Sequence, residues 1–227
     1  MVFVKRIMIY LAIGTIFYSC ADGNTANRKD RNANNFAILP DPNAGEQVAT
    51  FGGGCFWAMG EAMLELRGVN KVVSGYAGGN TKNPTYEEVC TRTTNHAETV
   101  QVYYDPRQIS YATLAESFFN AHDPTTLNRQ GPDQGTDYRS IAFYRTAQEK
   151  QILESTIAKV DASKHYPGKV VTQVVPYKVF YPAEKYHQGY YRTHLEDNPY
   201  LTSVSMPKIV KMRKAMKTQL KPEFQNL

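Results

Sequence analysis

Cysteine is scarce in this chain: among 227 residues only Cys20, Cys55 and Cys90 carry a thiol, and no C-x-x-C occurs. That spacing excludes a disulfide-built scaffold, a zinc ribbon and a thioredoxin-type redox pair. His96, His122, His165, His187 and His194 form no H-E-x-x-H or other metal-ligating pattern, so no metal is expected. Gly52-Gly53-Gly54 is not followed by Gly-Lys-Ser/Thr, which removes a phosphate loop, and the chain has no G-x-S-x-G. There is no internal repeat and no nucleic-acid-binding motif, so nucleic acid is not an expected partner.

What is present suits one compact domain with a real core: 42% of residues are hydrophobic and 12% aromatic. Lys and Arg number 26 against 21 Asp and Glu, leaving +5, and much of the surplus falls late in the chain. Lys208, Lys211, Arg213, Lys214, Lys217 and Lys221 read as a solvated helix face, with Met206, Met212 and Met216 as its packing positions. At the other end Lys5 and Arg6 precede an apolar run over 7–18 that stops at Ser19-Cys20. The run is shorter than the roughly 17–25 residues of a spanning helix and has the charge-then-apolar order of a secretory signal. Its end resembles a bacterial lipoprotein processing site, although Phe17 and Tyr18 replace the leucine and small residue usual there. The expected organisation is therefore a lipoprotein-type signal peptide over 1–20 with Cys20 as the lipidation site, and a flexible linker over 21–45. A single domain over 46–205 and a basic C-terminal tail over 206–227 follow. Export to the periplasmic side or outer membrane is expected, with membrane contact only through the N-terminus, and so is a monomer.

The pattern predicts a strand over 47–51 and, after the glycines, a helix over 56–67 with Phe56, Met59, Met63 and Leu66 at helical spacing and Gly68 as its C-cap. A strand over 69–76, a short helix over 86–90 and an alternating strand over 98–104 follow, then a helix over 111–121. The loop over 122–137 is too long for a bare connector and is expected to carry function. Beyond it come a strand over 138–145, a helix opened at Thr146 by a capping box with Glu149, and an extended stretch over 170–180. Mixed in this order, the elements predict an α+β fold: a two-layer α/β sandwich with a ferredoxin-like core and long loops.

Cys55 is the residue with the most chemical promise. Glycines lead from a strand to a helix that begins at it, so its sulfur should face free backbone N–H groups and the positive end of the helix dipole. Both favour thiolate, which predicts a pKa below the free value of ~8.5. The glycines would leave the thiol open to a substrate, and Trp57, the only tryptophan, would wall it.

Gly53-Gly-Cys-Phe-Trp57 resembles the signature of A-type peptide methionine sulfoxide reductases. Ser74-Gly-Tyr-Ala-Gly-Gly79, Asn83-Pro-Thr-Tyr86, His96-Ala-Glu98, Tyr104-Asp-Pro106, His122-Asp-Pro124, the stretch from Arg129 to Arg139, and Tyr186-His-Gln188 resemble later family segments in the same order. The resemblance implies that Cys55 attacks the sulfoxide sulfur and becomes a sulfenic acid while Glu98, kept protonated by burial, delivers a proton to the leaving oxygen. It also implies that Tyr86 and Tyr138 hydrogen-bond that oxygen, that Asp133 orients water or oxygen nearby, and that Phe56 and Trp57 hold the substrate methyl group of the S epimer. Oxidised proteins and peptides are the implied substrates, with no cofactor beyond an external thiol reductant, either thioredoxin-like or a small thiol.

Two departures stand out. Gly60 occupies a position where the family commonly has Glu, and Asn198-Pro-Tyr200 is followed by no cysteine, where many members carry a resolving one. Cys90 is the internal candidate for that role, but a cysteine after Val89 at a short helix end is expected to pack as a small hydrophobe, so direct reduction by an external thiol is the favoured route. Two other functions compete: a cysteine-dependent hydrolase with a histidine base, and a lipid-tethered binding module with Cys55 structural.

Overall fold

The computed structural model describes residues 35–226; the signal peptide expected over 1–20 with Cys20, and the expected linker up to residue 34, lie outside the described residues. A six-stranded sheet runs in the order β7-β6-β1-β3-β2-β8, built from β1 (Gln47–Gly52), β2 (Val69–Ala77), β3 (Ala97–Tyr104), β6 (Ile141–Tyr144), β7 (Gln173–Pro176) and β8 (Phe180–Pro182). β3 lies antiparallel between β1 and β2, and β6 is antiparallel to β1. With α1 (Phe56–Leu64) crossing from β1 to β2 and α3 (Tyr111–Ala121) crossing from β3 toward β6, this is the interleaved β-α-β pair of a ferredoxin-like core. The α+β expectation therefore holds.

β3 is buried along its whole length, and its period of two divides the molecule. Val100, Val102 and Tyr104 face the main core, with Phe51, Met59, Met63, Leu114 and Phe118. Ala97 and Tyr103 join Val73, Phe143 and Phe180 in a smaller cluster on the opposite face. Each fully buried aliphatic or aromatic side chain contributes roughly 1.5–3 kcal/mol. Glu98 is in step with Val100, Val102 and Tyr104, so the pleat that builds the core also drives one carboxyl beneath the start of α1.

Four local expectations change. α1 ends at Leu64, not at residue 67, because residues 65–67 leave the helix to pair with the end of the chain: Arg67 N–H donates to the Gln219 carbonyl, Lys221 N–H donates to that of Glu65, and Leu66 bridges Leu220. Gly68 is thus no C-cap, although its φ of +76° still needs glycine. The strand expected from 138 starts only at Ile141, since Thr136–Tyr138 form a 3-10 turn. α4 (Ala147–Ser163) opens on Thr146 as expected, but Glu149 reaches back to the N–H of Arg145, leaving the capping box half made. The linker is not free over 36–40: Phe36 is buried, Ala37 N–H donates to the Ala183 carbonyl, and Tyr103 Oη donates to that of Pro40. One buried aromatic outweighs the polar composition around it.

The C-terminal stretch departs furthest from expectation. After α5 (Tyr190–His194) and a π-helical turn over Leu201–Ser205, α6 (Met206–Ala215) packs against α1 and α3 with Ile209 and Met212 buried, and Met216 is buried just beyond it. Arg213 meets Glu65, which is fully buried, at 2.6 Å, and Lys208 points toward Asp133. The basic residues are not simply a solvated face, because acids on other elements, the buried Glu65 and the half-buried Asp133, draw two of them inward.

Candidate active site

The turn into α1 is shaped by what it must pass between. Gly54 adopts φ +84°, and a Cβ there would meet Gln130 at 2.7 Å. A Cβ on Gly53 would strike His122 at 2.9 Å. The glycines therefore admit neighbouring parts of the protein, not a substrate as the sequence suggested; 52–54 are all buried. Cys55 follows as the N-cap of α1 and is 6% exposed.

Burial reverses the expectation for this thiol. Its pKa lies well above the usual range, first because desolvation penalises the charged form and then because Glu98 is close. The Trp57 N–H and a hydrogen bond with Tyr200 pull the other way without winning. The helix start is also partly occupied already, since the Phe56 N–H donates to Glu98 Oε2 at 2.9 Å. The resting sulfur is therefore a neutral thiol.

Glu98 is 2% exposed, and burial, with the charges of Asp137 and Asp133 adding to it, raises its pKa to about 8 against the pull of the Phe56 N–H. A protonated carboxyl and a protonated thiol thus share one buried site at neutral pH. Tyr138 faces Glu98, Cys55 and Asp133, and Tyr86 faces Glu98 and Cys90; desolvation keeps both phenols neutral. Asp133 hangs on a small hairpin of β4 (Arg129–Gln130) and β5 (Asp133–Gln134), which gives the long loop its order. Its carboxylate accepts from Tyr200 Oη at 2.7 Å.

Trp57 is fixed from three sides. Tyr190 stacks on it at 4.0 Å between ring centroids, Tyr200 meets it edge-on at 6.0 Å, and its Nε1–H donates to His187 Nδ1 at 3.1 Å. That bond assigns the His187 proton to Nε2, and burial drops the ring's pKa to about 4. Glu184 accepts from Tyr76 Oη and from the Tyr86 N–H, both at 2.9 Å, and so sets the start of α2 (Tyr86–Cys90). His122 is pinned between the Phe118 carbonyl and Ser140 Oγ at 2.7 Å each, with its pKa also lowered by burial to about 4. Both histidines are thus held by structural hydrogen bonds.

All seven residues that the sequence singled out for catalysis or substrate holding gather here: Cys55, Phe56, Trp57, Tyr86, Glu98, Asp133 and Tyr138. Cys90 differs from expectation, for it is exposed and its thiol hydrogen-bonds the Tyr86 hydroxyl, because α2 is a single turn on the surface. Sequence reasoning missed Tyr200, Asp137, Glu184 and Tyr190; only the run of aromatics over 186–200 hinted at any of them. Among the described residues no group of three or more His, Cys, Asp or Glu is placed to hold a metal. An acid, a thiol and two phenols around one point can reduce a polar X=O bond by giving sulfur electrons to one atom and a proton to the other.

Residues 47–220 match the model of the family described as peptide methionine sulfoxide reductase. A Thermus thermophilus peptide methionine sulfoxide reductase MsrA is 47% identical over 177 residues, 78% of this chain and 99% of that protein. A Haloquadratum walsbyi MsrA is 48% identical over 174 residues, covering 77% and 98%. The reduced-form crystal structure of Mxr1 from Saccharomyces cerevisiae superposes with a TM-score of 0.65 at 33% identity, over 70% of this chain and 91% of that one. Methionine sulfoxide reductase A of Corynebacterium diphtheriae gives 0.63 at 35%, over 71% and 87%.

Proposed function

The chain belongs to the peptide methionine sulfoxide reductase family, and from that premise we propose how its residues carry out the reaction. The enzyme is an oxidoreductase that returns methionine sulfoxide to methionine. Cys55 Sγ gives its electron pair to the sulfoxide sulfur, making an S–S bond as the S–O bond breaks and the oxygen leaves as water. Water then adds to Sγ and breaks the S–S bond, leaving methionine and a Cys55 sulfenic acid. Glu98 protonates the oxygen during bond breaking and recovers a proton as the thiol gives up its own, so thiol plus sulfoxide becomes sulfenic acid plus thioether.

The observation that carries this reading is the pair of buried, protonated groups, Glu98 and Cys55, at one helix start. With both neutral, the site bears no thiolate to be lost to solvent chemistry before substrate arrives. Tyr86 and Tyr138 donate to the developing oxyanion, Phe56 and Trp57 hold the methyl group and select the S epimer, and Asp133 orients water or oxygen nearby. A thioredoxin-like protein or a small thiol then reduces the sulfenic acid, two thiols becoming a disulfide and water.

A cysteine hydrolase lacks its base: His122 is locked by Phe118 and Ser140, and the only Nδ1 lone pair of His187 accepts from Trp57. A binding module leaves the acid beside the thiol without purpose. The features over 1–20 support export and a lipid anchor at Cys20, which would put repair of oxidised proteins outside the cytoplasmic membrane by a monomeric enzyme. Fatty-acid labelling that vanishes in Cys20→Ser is the check on the anchor.

The central test uses both epimers of a blocked methionine sulfoxide with dithiothreitol. Turnover of the S epimer is expected, none of the R epimer, and none of either in Cys55→Ser. Undiminished turnover in that variant would remove Cys55 from the chemistry.

A further inference from the structure

Tyr200 has one hydroxyl proton and two claimants. It donates to Asp133 Oδ2 at 2.7 Å, and the same hydroxyl hydrogen-bonds the Cys55 sulfur. While the sulfur is a thiol there is no conflict, because S–H can donate to the tyrosine oxygen and O–H to the carboxylate. Once the sulfur is a thiolate it can only accept. Tyr200 must then turn its proton to the sulfur, and Asp133 must lose its donor.

Lys208 stands where that donor would be replaced. Its Nζ lies 3.6 Å from the same Asp133 Oδ2, and its side chain is only 15% exposed. The ammonium is buried and makes no hydrogen bond within the described residues. A Cβ on Gly54, the residue before the nucleophile, would be 3.6 Å from it. Keeping a desolvated ammonium without hydrogen bonds is unfavourable, and three idle donors beside a carboxylate need only a small shift to engage it. Its reach is fixed by α6, which Ile209 and Met212 bury and the Arg213–Glu65 pair clamps.

We propose that Tyr200 and Lys208 are positioning residues for the nucleophile: Lys208 takes over the Asp133 carboxylate, which frees the Tyr200 hydroxyl to donate to the Cys55 thiolate. The proposal rests on Cys55 being the nucleophile. No bond other than hydrogen bonds changes in this step. The groups that act on the sulfur are Glu98 from β3, Asp133 from β5, Tyr138 from the 3-10 turn, and Tyr200; Lys208 from α6 reaches it only through Asp133, while His122 at the end of α3 stays neutral. Lys208 is the cation beside Asp133, so it can hold that carboxylate's charge when the Tyr200 proton turns to the sulfur.

The test reads the Cys55 peptide by mass spectrometry after timed iodoacetamide treatment across pH, together with single-turnover sulfoxide reduction. Lys208→Met should move the alkylation profile up by about one pH unit and slow the first step about tenfold, as expected for loss of one nearby opposite charge. KM should stay near wild type, and Lys208→Arg should restore the profile. Tyr200→Phe should move it in the same direction, and the double variant should fall short of the two effects multiplied, because both act through one hydroxyl. Lys208→Gln repeats the measurement if the methionine variant fails to fold. A Lys208→Met or Lys208→Gln profile superimposed on wild type overturns the proposal, and so does full additivity in the double variant. Those outcomes leave Cys55→Ser inactive, whereas an active Cys55→Ser would instead overturn the assignment of the nucleophile.

Discussion

The turn from β1 into α1 and the segment running from Asn198 through α6 meet at the Cys55 sulfur, the first through backbone and the second through side-chain charge. In the turn, position is set by contact: Gly54 is held at φ +84° against Gln130, and Gly53 lies against His122. In the C-terminal segment, position is set by pairing, Arg213 with Glu65 and Lys208 with Asp133. Steric placement is indifferent to pH and salt, while ion pairs answer to both, less so where they are buried. Contact therefore seats Cys55 and buries it, which raises its pKa, while Tyr200 on the polar side pulls that pKa down and Asp133 adds to the rise.

The largest effect is expected at Glu98, the β3 acid that accepts from the Phe56 N–H at the start of α1. Glu98→Gln should slow single-turnover reduction by about 10²–10⁴-fold, the usual worth of a general acid; a rate within a few-fold of wild type would assign the proton to another group. The wild-type first step should also decline as pH rises through about 8, where Glu98 ionises. Stability carries the same signature with a fixed sign. Above the unfolded carboxylate value of about 4.3 the unfolded chain has released this proton and the folded one retains it. The folded state therefore loses stability from there up to about 8 and changes little beyond, and Glu98→Gln should remove that slope from urea denaturation.

Next in size is the clamp on α6. Arg213→Met leaves Glu65 fully buried without its partner, and burial already pushes that carboxyl upward even with Arg213 against it. Loss of one member of a buried pair costs about 3–5 kcal/mol. Thermal denaturation should show that loss, and replacing Glu65 with Leu in the same chain should recover much of it. Gly54→Ala probes the steric half: a forced left-handed φ costs about 1–3 kcal/mol, before the clash with Gln130 is counted. Salt should leave that loss unchanged, which separates contact from charge.

The smallest expected effect is at Cys90. Although its thiol is exposed and touches the Tyr86 hydroxyl, Cys90→Ser should keep turnover with a small thiol within a few-fold of wild type. Intact-mass analysis after substrate without reductant should find the sulfenic acid on Cys55 and a free Cys90. A Cys55–Cys90 disulfide formed as fast as the sulfoxide is reduced would make Cys90 the resolving residue instead.

Much of the fold was legible because its signals are local. Residues 86–90 and 111–121 are helices as their patterns indicate, and Thr85, Ser110 and Thr146 all cap through their hydroxyls. The alternation of β3 carried less information, for both faces are covered and all eight residues are buried. α1 was read too long because its end depends on Leu220, more than 150 residues away. The same limit applied to the site: the residues found were those in compact motifs, and Tyr200 and Lys208 were passed over because their partner Asp133 is distant in sequence.

The sequence by itself determined the ferredoxin-like order of elements, written in periods of two and 3.6, and through its resemblance to the family it pointed to Cys55, Glu98 and Trp57. Only the tertiary structure decided the charge states. Whether Cys55 rests as thiol or thiolate depends on how deeply it is buried and which carboxyl lies beside it, and a helix N-terminus read from sequence gives neither. The fate of the basic residues after 206 was likewise a matter of long-range partners: a lysine is solvated or drawn inward according to whether an acid lies within a few ångströms, and for Lys208 the half-buried Asp133 does.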